Sequence, residues 1–406
     1  MTEMTNESQF VLPRGFRYGA ATAGLKASGR ADFALIVADA PASAAAVFTA
    51  NRVTAAPLIV DKIHLRMTGG KVRVAAINAG NANCAAGEAG MDAARATCYA
   101  VAESVGCRPE EVFPSSTGVI GVPLPANKLI AALPGLAASL GGDFAAFDQV
   151  AQAIMTTDTV EKTAFARLEI EGKEVRIAAL CKGAGMIHPQ LVPHATMLVY
   201  ILTDAAMESA ALDGYLQAAV EVSFNRISVD GDTSTNDTVL LMASGASGAA
   251  VGAENAAFAD ALTQVCTSLA RQIVADGEGV SHVVELHIEG AATDADALKV
   301  AKAIAHSPLV KTAWAGCDPN WGRLATAIGY SGAQIDPKRF DIRFGELAIC
   351  SNGGRAPGYD EAAAHDYIAK PEFAITVELH QGNGSCLFWT TDLTHEYVSI
   401  NADYST

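Results

Sequence analysis

Residues 182–202 read KGAGMIHPQLVPHATMLVYIL. Their second part, Thr196–Leu202, is a near-continuous apolar run before Thr203-Asp204, the profile of a strand buried on both faces. A Gly-rich stretch, Lys182-Gly183-Ala184-Gly185, and the turn-forming His188-Pro189 lead into it. Immediately upstream, Phe165–Glu171 and Glu174–Leu180 alternate apolar and polar residues around Gly172-Lys173, which predicts a hairpin. Lys71–Asn78, Ser281–Ile288, Ile375–Leu379 and the β-prone Leu387–Ile400 predict further strands. Helical spacing marks Gly90–Val105, Leu124–Leu140 with an interruption at Pro134-Gly135, Ala206–Val222, Ala256–Ala275 and Asp294–Ala305. Ala79–Asn83 and Pro114–Gly121 read as loops. The polar stretch Ser228–Asp237 has charge enough to suggest calcium, but it lacks the EF-hand spacing and terminal Glu, so it reads as a hydrogen-bonded structural loop. The expected fold class is α/β in the mixed α+β sense, with several antiparallel pairs and without the regular βαβ alternation of a nucleotide fold.

The chain has 406 residues, enough for two or three packed units; 50% are hydrophobic and 18% charged, which marks it as core-rich rather than disordered. Its formal net charge of −16 repels phosphate backbones and anionic lipid, and its basic residues are scattered rather than gathered in a patch. Nucleic-acid and membrane-surface partners are therefore not expected. The start lacks the apolar core of a signal peptide, and no stretch holds the roughly 18 continuous apolar residues of a spanning helix. The eight cysteines form no C-x-x-C pair and no metal-type spacing. They read as reduced thiols, so the expected compartment is the cytoplasm.

Neither G-x-G-x-x-G after a strand nor G-x-x-x-x-G-K-[ST] occurs, and Gly183-Ala184-Gly185 is only half of a dinucleotide fingerprint. His188 and His194 are separated by two prolines and have no Cys or carboxylate beside them, so no metal site is expected. Thr196 is more informative. It can be a threonine that merely starts a strand, or a hydroxyl nucleophile. A nucleophile needs a base, and a threonine freed by scission before it supplies its own: the α-amino group, with a pKa of about 7.7–8.0. Such chemistry needs no His–Asp pair.

Lys182–Pro189 followed by Ala195-Thr196-Met197-Leu198 resembles the cleavage region of the glutamate N-acetyltransferase/ornithine acetyltransferase family, self-processing enzymes of arginine biosynthesis. The likeness spans nearly the whole chain. It includes Asn78–Asn83, Pro114-Ser115-Ser116-Thr117-Gly118, Thr156-Thr157-Asp158-Thr159, Asp230–Asp237, Asp276-Gly277-Glu278-Gly279, Asp318-Pro319-Asn320-Trp321-Gly322-Arg323 and Asn401–Thr406. The resemblance implies a two-lobed, self-processing Thr-nucleophile fold. It implies scission between Ala195 and Thr196 into an α chain, 1–195, and a β chain, 196–406, joined in an α2β2 heterotetramer. It implies Thr196 as nucleophile and Thr117 with Gly118 as oxyanion hole, a pairing in which one turn aims a hydroxyl and a backbone N–H at one point. Substrate contacts carry over to Thr156, Lys182, Thr196, Glu278, Asn401 and Thr406; Thr157 competes with Thr156 for its role. Lys182 can pair a carboxylate and Glu278 an ammonium, although either alone is as readily a solvated charge.

The implied reaction moves acetyl from N2-acetyl-L-ornithine to L-glutamate through an acetyl-Thr196 intermediate, with no cofactor; acetyl-CoA would be a second donor if the enzyme is bifunctional. Two alternatives use the same residues: a self-processing amidase or aminopeptidase with water as acceptor, and a cleaved protein that only binds amino acids. Two departures from the family pattern stand out. Gln190–His194 lengthens the bridge between Pro189 and Ala195 by about three residues, and Cys317 replaces a usually polar residue before Asp-Pro-Asn.

Overall fold

The computed structural model describes residues 11–189 and 197–403. Ala195, Thr196 and Thr406 of the expected site, and the Gln190–His194 extension, lie outside the described residues. Two sheets organise the rest.

The first sheet comprises β1 (Phe16–Ala21), β2 (Phe33–Phe48), β3 (Lys71–Asn81), β4 (Val112–Val119), β5 (Lys162–Ile170), β6 (Lys173–Lys182), β7 (Leu198–Thr203) and β9 (Thr238–Ala243). Its order is β4-β3-β2-β9-β7-β6-β5, with β1 paired to β2. The second comprises β8 (Ile227–Ser228), β10 (Val283–Ala291), β11 (Asp341–Phe344), β12 (Leu347–Ser351), β13 (Gly354–Arg355), β14 (Glu372–Glu378) and β15 (Gly384–Thr391), in the order β13-β12-β11-β14-β10-β15-β8. Helices α1 (Ala56–Thr68), α2 (Gly87–Val105), α3 (Ala126–Ala138), α4 (Phe144–Ile154), α5 (Ser209–Val222) and α6 (Ala256–Ala275) cover the first sheet. The second packs on α7 (Asp294–Ala305), α8 (Pro308–Ala315), α9 (Trp321–Tyr330) and α10 (Glu361–Ile368), and α11 (His395–Asp403) closes the described chain. The fold is mixed α/β, and each sheet has its own apolar core.

The apolar run after Thr196 supplies β7, an interior strand of the first sheet. Every residue of β7 is buried. It runs antiparallel to β6, with Lys182 opposite Leu198, and parallel to β9, with Leu198 opposite Thr238. Val199 and Ile201 pack into the core under α5 and α6, while Leu198, Tyr200 and Leu202 face Phe147, Val150 and Ile154 of α4. Burial on both faces is why the run shows no alternation. The same physics hides β9: TVLLMA is apolar and wholly buried, so it offers no period to detect.

The β5–β6 hairpin forms as expected, but its turn is Glu171-Gly172, with φ of 51° and 75°. Two positive φ values suit a turn whose twist matches the flanking strands. Helices α6 and α7 have their expected bounds, each started by a side chain that accepts a backbone N–H: Asn255 from Phe258 and Thr293 from Asp296.

Four expectations are corrected. Ala79–Asn81 continues β3 rather than starting a loop. Pro114–Gly121 is largely β4, and Pro114 is tolerated because β4 ends the strand order, where a missing N–H breaks no outer ladder bond. Helix α3 runs through Pro134, held in place by buried Leu129, Leu133 and Leu136 despite the lost backbone bond. Leu387–Ile400 is half strand and half helix: β15 ends at Thr391, and the Asp392 side chain turns back to accept the Ser281 N–H before α11 begins.

The segments on the two sides of the expected 195/196 scission meet in the first sheet. Strands β7 and β9 from the second segment lie between β2 and β6 from the first, so the two segments share one sheet. Among the described residues no helix is long and apolar enough to cross a membrane.

Leu240 is fully buried in β9, and we expect Leu240→Ala to lower stability by about 2–5 kcal/mol, read as a fall in the midpoint of chemical unfolding. An unchanged midpoint would contradict the central position of β9.

Candidate active site

A cavity of about 420 Å³ opens where the ends of β4, β6 and β7 meet the segments that follow α4 and α6. Thr117 and Gly118 line it from β4, Thr156 and Thr157 from the segment after α4, Lys182 from the end of β6, Glu278 from the turn after α6, and Asn401 from α11. The sequence-predicted residues Thr117, Gly118, Thr156, Lys182, Glu278 and Asn401 therefore share one space, and both candidates for the Thr156 role face it. Met197, the residue after Thr196, also lies on its wall. Ser234, Asn236 and Asp237 line it too and were missed as site residues. The polarity of Ser228–Asp237 marked the loop in the sequence, but nothing there separated a structural loop from a lining one.

The Thr117-Gly118 edge is fixed from behind. Ser116 Oγ donates to Asn78 Oδ1 at 2.7 Å, and Asn78 Nδ2 donates to the Asn81 carbonyl at 2.8 Å. Asn236 Nδ2 donates to the carbonyls of Ser116, at 2.8 Å, and Ala82. Gly118 has φ of 129°, and a Cβ there would lie 2.3 Å from the Gly80 carbonyl carbon. Only glycine permits that approach, which leaves the backbone bare at the cavity rim.

Three lining segments converge on one buried cation. Lys162, with no solvent exposure, places Nζ 2.8 Å from Asp158 Oδ1 and 2.5 Å from Asp276 Oδ2. Asp158 in turn accepts the Thr156 N–H at 2.9 Å and the Gly183 N–H at 2.6 Å. Asp276 accepts the Thr159 N–H at 3.0 Å and lies two residues before Glu278. The ion triad thus ties the Thr156 segment, the Lys182-Gly183 corner and the Glu278 turn together. Burial opposes the charged form of Asp158, but the charges of Lys182 and Lys162 and the hydrogen bonds from Lys162 and the Gly183 N–H outweigh it and hold the carboxyl at about 2. Burial likewise opposes the Lys162 charge, and Asp158 and Asp276 overcome it, raising its pKa.

Glu278 is seated by short contacts. Its N–H donates to the Ala184 carbonyl at 3.0 Å, and its Oε2 accepts from Asn401 Nδ2 at 2.9 Å. Gly185 is needed opposite, because a Cβ there would fall 2.4 Å from the Glu278 carboxyl group. Asp230 holds the next residues by accepting the N–H groups of Met186 and Ile187, at 2.6 and 2.8 Å. His188 packs edge-on against the His306 ring at 4.2 Å, and burial with the His306 charge pushes its pKa down to about 3. It stays neutral at physiological pH and does not line the cavity. With Lys182 and Glu278 in one space, the cavity can receive a carboxylate and an ammonium together, the two ends of an amino acid.

Lys162→Met would leave Asp158 and Asp276 buried without their cation, and we expect a loss of about 3–5 kcal/mol in unfolding free energy. Because the Asp158 pKa is depressed, its stabilisation is present above the unfolded value of about 3.9 and is lost as pH falls toward 2. An acid-unfolding curve of wild type should therefore steepen in that window, and that of Asp158→Asn should lose this component.

The profile of the ArgJ family matches residues 17–406. The chain is 47% identical over 397 residues to the arginine biosynthesis bifunctional protein ArgJ of Geobacter sulfurreducens, covering 97% of this chain and 99% of that protein. It is 45% identical over 400 residues to the protein of the same name from Symbiobacterium thermophilum, covering 97% and 98%. A crystal-structure chain of that protein from Bacillus halodurans is 43% identical, covers 50% of this chain and 98% of that chain, and superposes with a TM-score of 0.49.

Proposed function

Because the chain belongs to the ArgJ family, we propose that it is a self-processing acetyltransferase that moves acetyl from N2-acetyl-L-ornithine to L-glutamate through acetyl-Thr196. The observation that carries the proposal is the cavity itself: residues from five distant segments, including a hydroxyl and backbone pair, a cation and a carboxylate, meet where β7 begins, two residues beyond Thr196 in sequence.

In the processing step Thr196 Oγ attacks the Ala195 carbonyl. The Thr117 hydroxyl and Gly118 N–H stabilise the oxyanion, the peptide C–N bond breaks to leave an ester, and water hydrolyses that ester. Chains 1–195 and 196–406 then stay joined, because the β6–β7 and β2–β9 pairings cross the break. In the mature enzyme the Thr196 amine takes the proton from its own hydroxyl, which attacks the acetyl carbonyl of acetylornithine. The amine proton goes to the departing ornithine nitrogen. Glutamate enters the emptied site and its amine accepts acetyl by the reverse steps.

Lys182 pairs the α-carboxylate shared by both amino acids, and Asn401 orients Glu278 toward the amine end of the substrate. Thr156, on the cavity wall, and Thr406 complete the polar contacts. The acyl-enzyme must outlast water until an amine arrives, which a walled cavity favours. The relatives named above are called bifunctional. Acetyl-CoA with glutamate is the matching assay for a second donor, since both routes would share acetyl-Thr196.

Thr196→Ala should abolish transfer from acetylornithine to glutamate while leaving the fold intact; wild-type rates in that variant would remove Thr196 as nucleophile. Acetate release from acetylornithine without glutamate, at the full rate, would instead indicate water as acceptor. The reacting amine must be unprotonated, so kcat/KM for acetylornithine should rise with pH through about 7.7–8.0 and then level off. Lys182→Met should raise KM for both substrates about ten- to hundredfold, the loss expected for one charge-assisted contact.

A further inference from the structure

A second constellation lies outside the cavity. Cys317 sits between α8 and α9, His282 immediately before β10, and Asp392 immediately after β15. The Asp392 carboxylate is buried and lies 2.8 Å from His282 Nδ1 through one oxygen, while the other accepts the Ser281 N–H at 3.0 Å. Its backbone N–H donates to the His282 carbonyl at 3.1 Å, so ring and carboxylate are locked to one another. Held in this way, the ring carries its proton on Nδ1 and turns the Nε2 lone pair outward. Cys317 Sγ is 3.9 Å from that nitrogen. The cysteine has φ of 50°, a left-handed backbone that L side chains rarely adopt, and its side chain is partly exposed. Its neighbour Gly316 and the neighbouring Ser281 of His282 line a separate cavity of about 650 Å³.

The other cysteines have different surroundings. Six are buried, and Cys107, the remaining partly exposed one, has its thiol pushed up to about 11 by burial and by Glu111. Among the described residues, Cys317 alone of the cysteines has a histidine nitrogen within reach of its sulfur.

We infer that Cys317 is a thiol–disulfide exchange site for small-molecule disulfides, with His282 as the proton acceptor and Asp392 positioning it. The proton moves from Sγ to Nε2, and the thiolate attacks one sulfur of the incoming disulfide. The S–S bond of the reagent breaks, a mixed disulfide forms at Cys317, and the departing thiolate takes the proton from the imidazolium. The disulfide is the only oxidant required. Asp318 follows Cys317 in sequence, and the buried Lys311, whose amine contacts the Thr390 and Thr391 hydroxyls, has its pKa lowered to about 7 by burial. The inference is independent of the acetyl-transfer proposal.

The test is the reaction of the native full-length protein with excess 4,4′-dithiodipyridine at pH 7, followed by absorbance, with the modified cysteine located by peptide mass spectrometry. We expect one fast thiol per chain, located at Cys317, reacting at least about tenfold faster than free cysteine, because the neighbouring His282 nitrogen takes the thiol proton. The fast phase should persist in Cys107→Ser, vanish in Cys317→Ser, and slow about tenfold in His282→Gln with an unchanged circular dichroism spectrum. If His282→Gln fails to fold, the wild-type rate against free cysteine decides. A Cys317 rate at or below that of free cysteine, a fast phase located at Cys107, or an unchanged rate in folded His282→Gln would overturn the inference.

Discussion

The structure depends on the burial of β7 between β6 and β9. A strand with every residue buried and paired on both edges cannot shift by one residue without exchanging the side chains that face its two cores. That constraint fixes where the strand starts, and its start is the wall of the polar cavity. In sequence the proposed nucleophile stands two residues before this fixed point. The strand pairs with segments from both sides of residue 195, so the same hydrogen-bonded ladder that places the site would keep the two chains together after scission.

A second constraint is electrostatic. Lys162 is an expensive residue to bury, and it is tolerated because Asp158 and Asp276 meet its charge and also accept from backbone N–H groups and, at Asp276, from the Thr159 hydroxyl. The arrangement does for the loops what β7 does for the sheet: the Thr156, Gly183 and Glu278 backbones are held to one point, so their side chains enter the cavity in a set geometry. The three segments are far apart in sequence, and the aspartates join them through backbone donors rather than through any substrate-facing atom.

Much of this was legible in the sequence, and the gaps have physical causes. The apolar run after Thr196 announced a doubly buried strand because six successive apolar residues leave no solvent face. The same property hid β9, whose run leads into a Gly/Ala/Ser-rich stretch that resembles a loop. Pro114 and Pro134 read as breakers in the sequence, but an end strand and a helix anchored by three buried leucines each tolerate one. At the site, Thr117, Gly118, Thr156, Lys182, Glu278 and Asn401 came from the family resemblance, not from spacing, and the fold brings them into one cavity. Asn236 and the Lys162 triad were not legible as site elements, because the carbonyls that Asn236 meets and the Asp276 carboxylate that Lys162 meets are brought close only by the tertiary fold.

The central claim is that breaking the chain before Thr196 creates a nucleophile with its own base. Intact-mass spectrometry of the freshly purified protein, before and after incubation with N-acetylornithine in the absence of glutamate, tests it most directly. We predict two fragments, 1–195 and 196–406, with a single acetyl group appearing on the second and disappearing when glutamate is added. A single unbroken chain with full transferase activity, or an acetyl group carried elsewhere than Thr196, would contradict it.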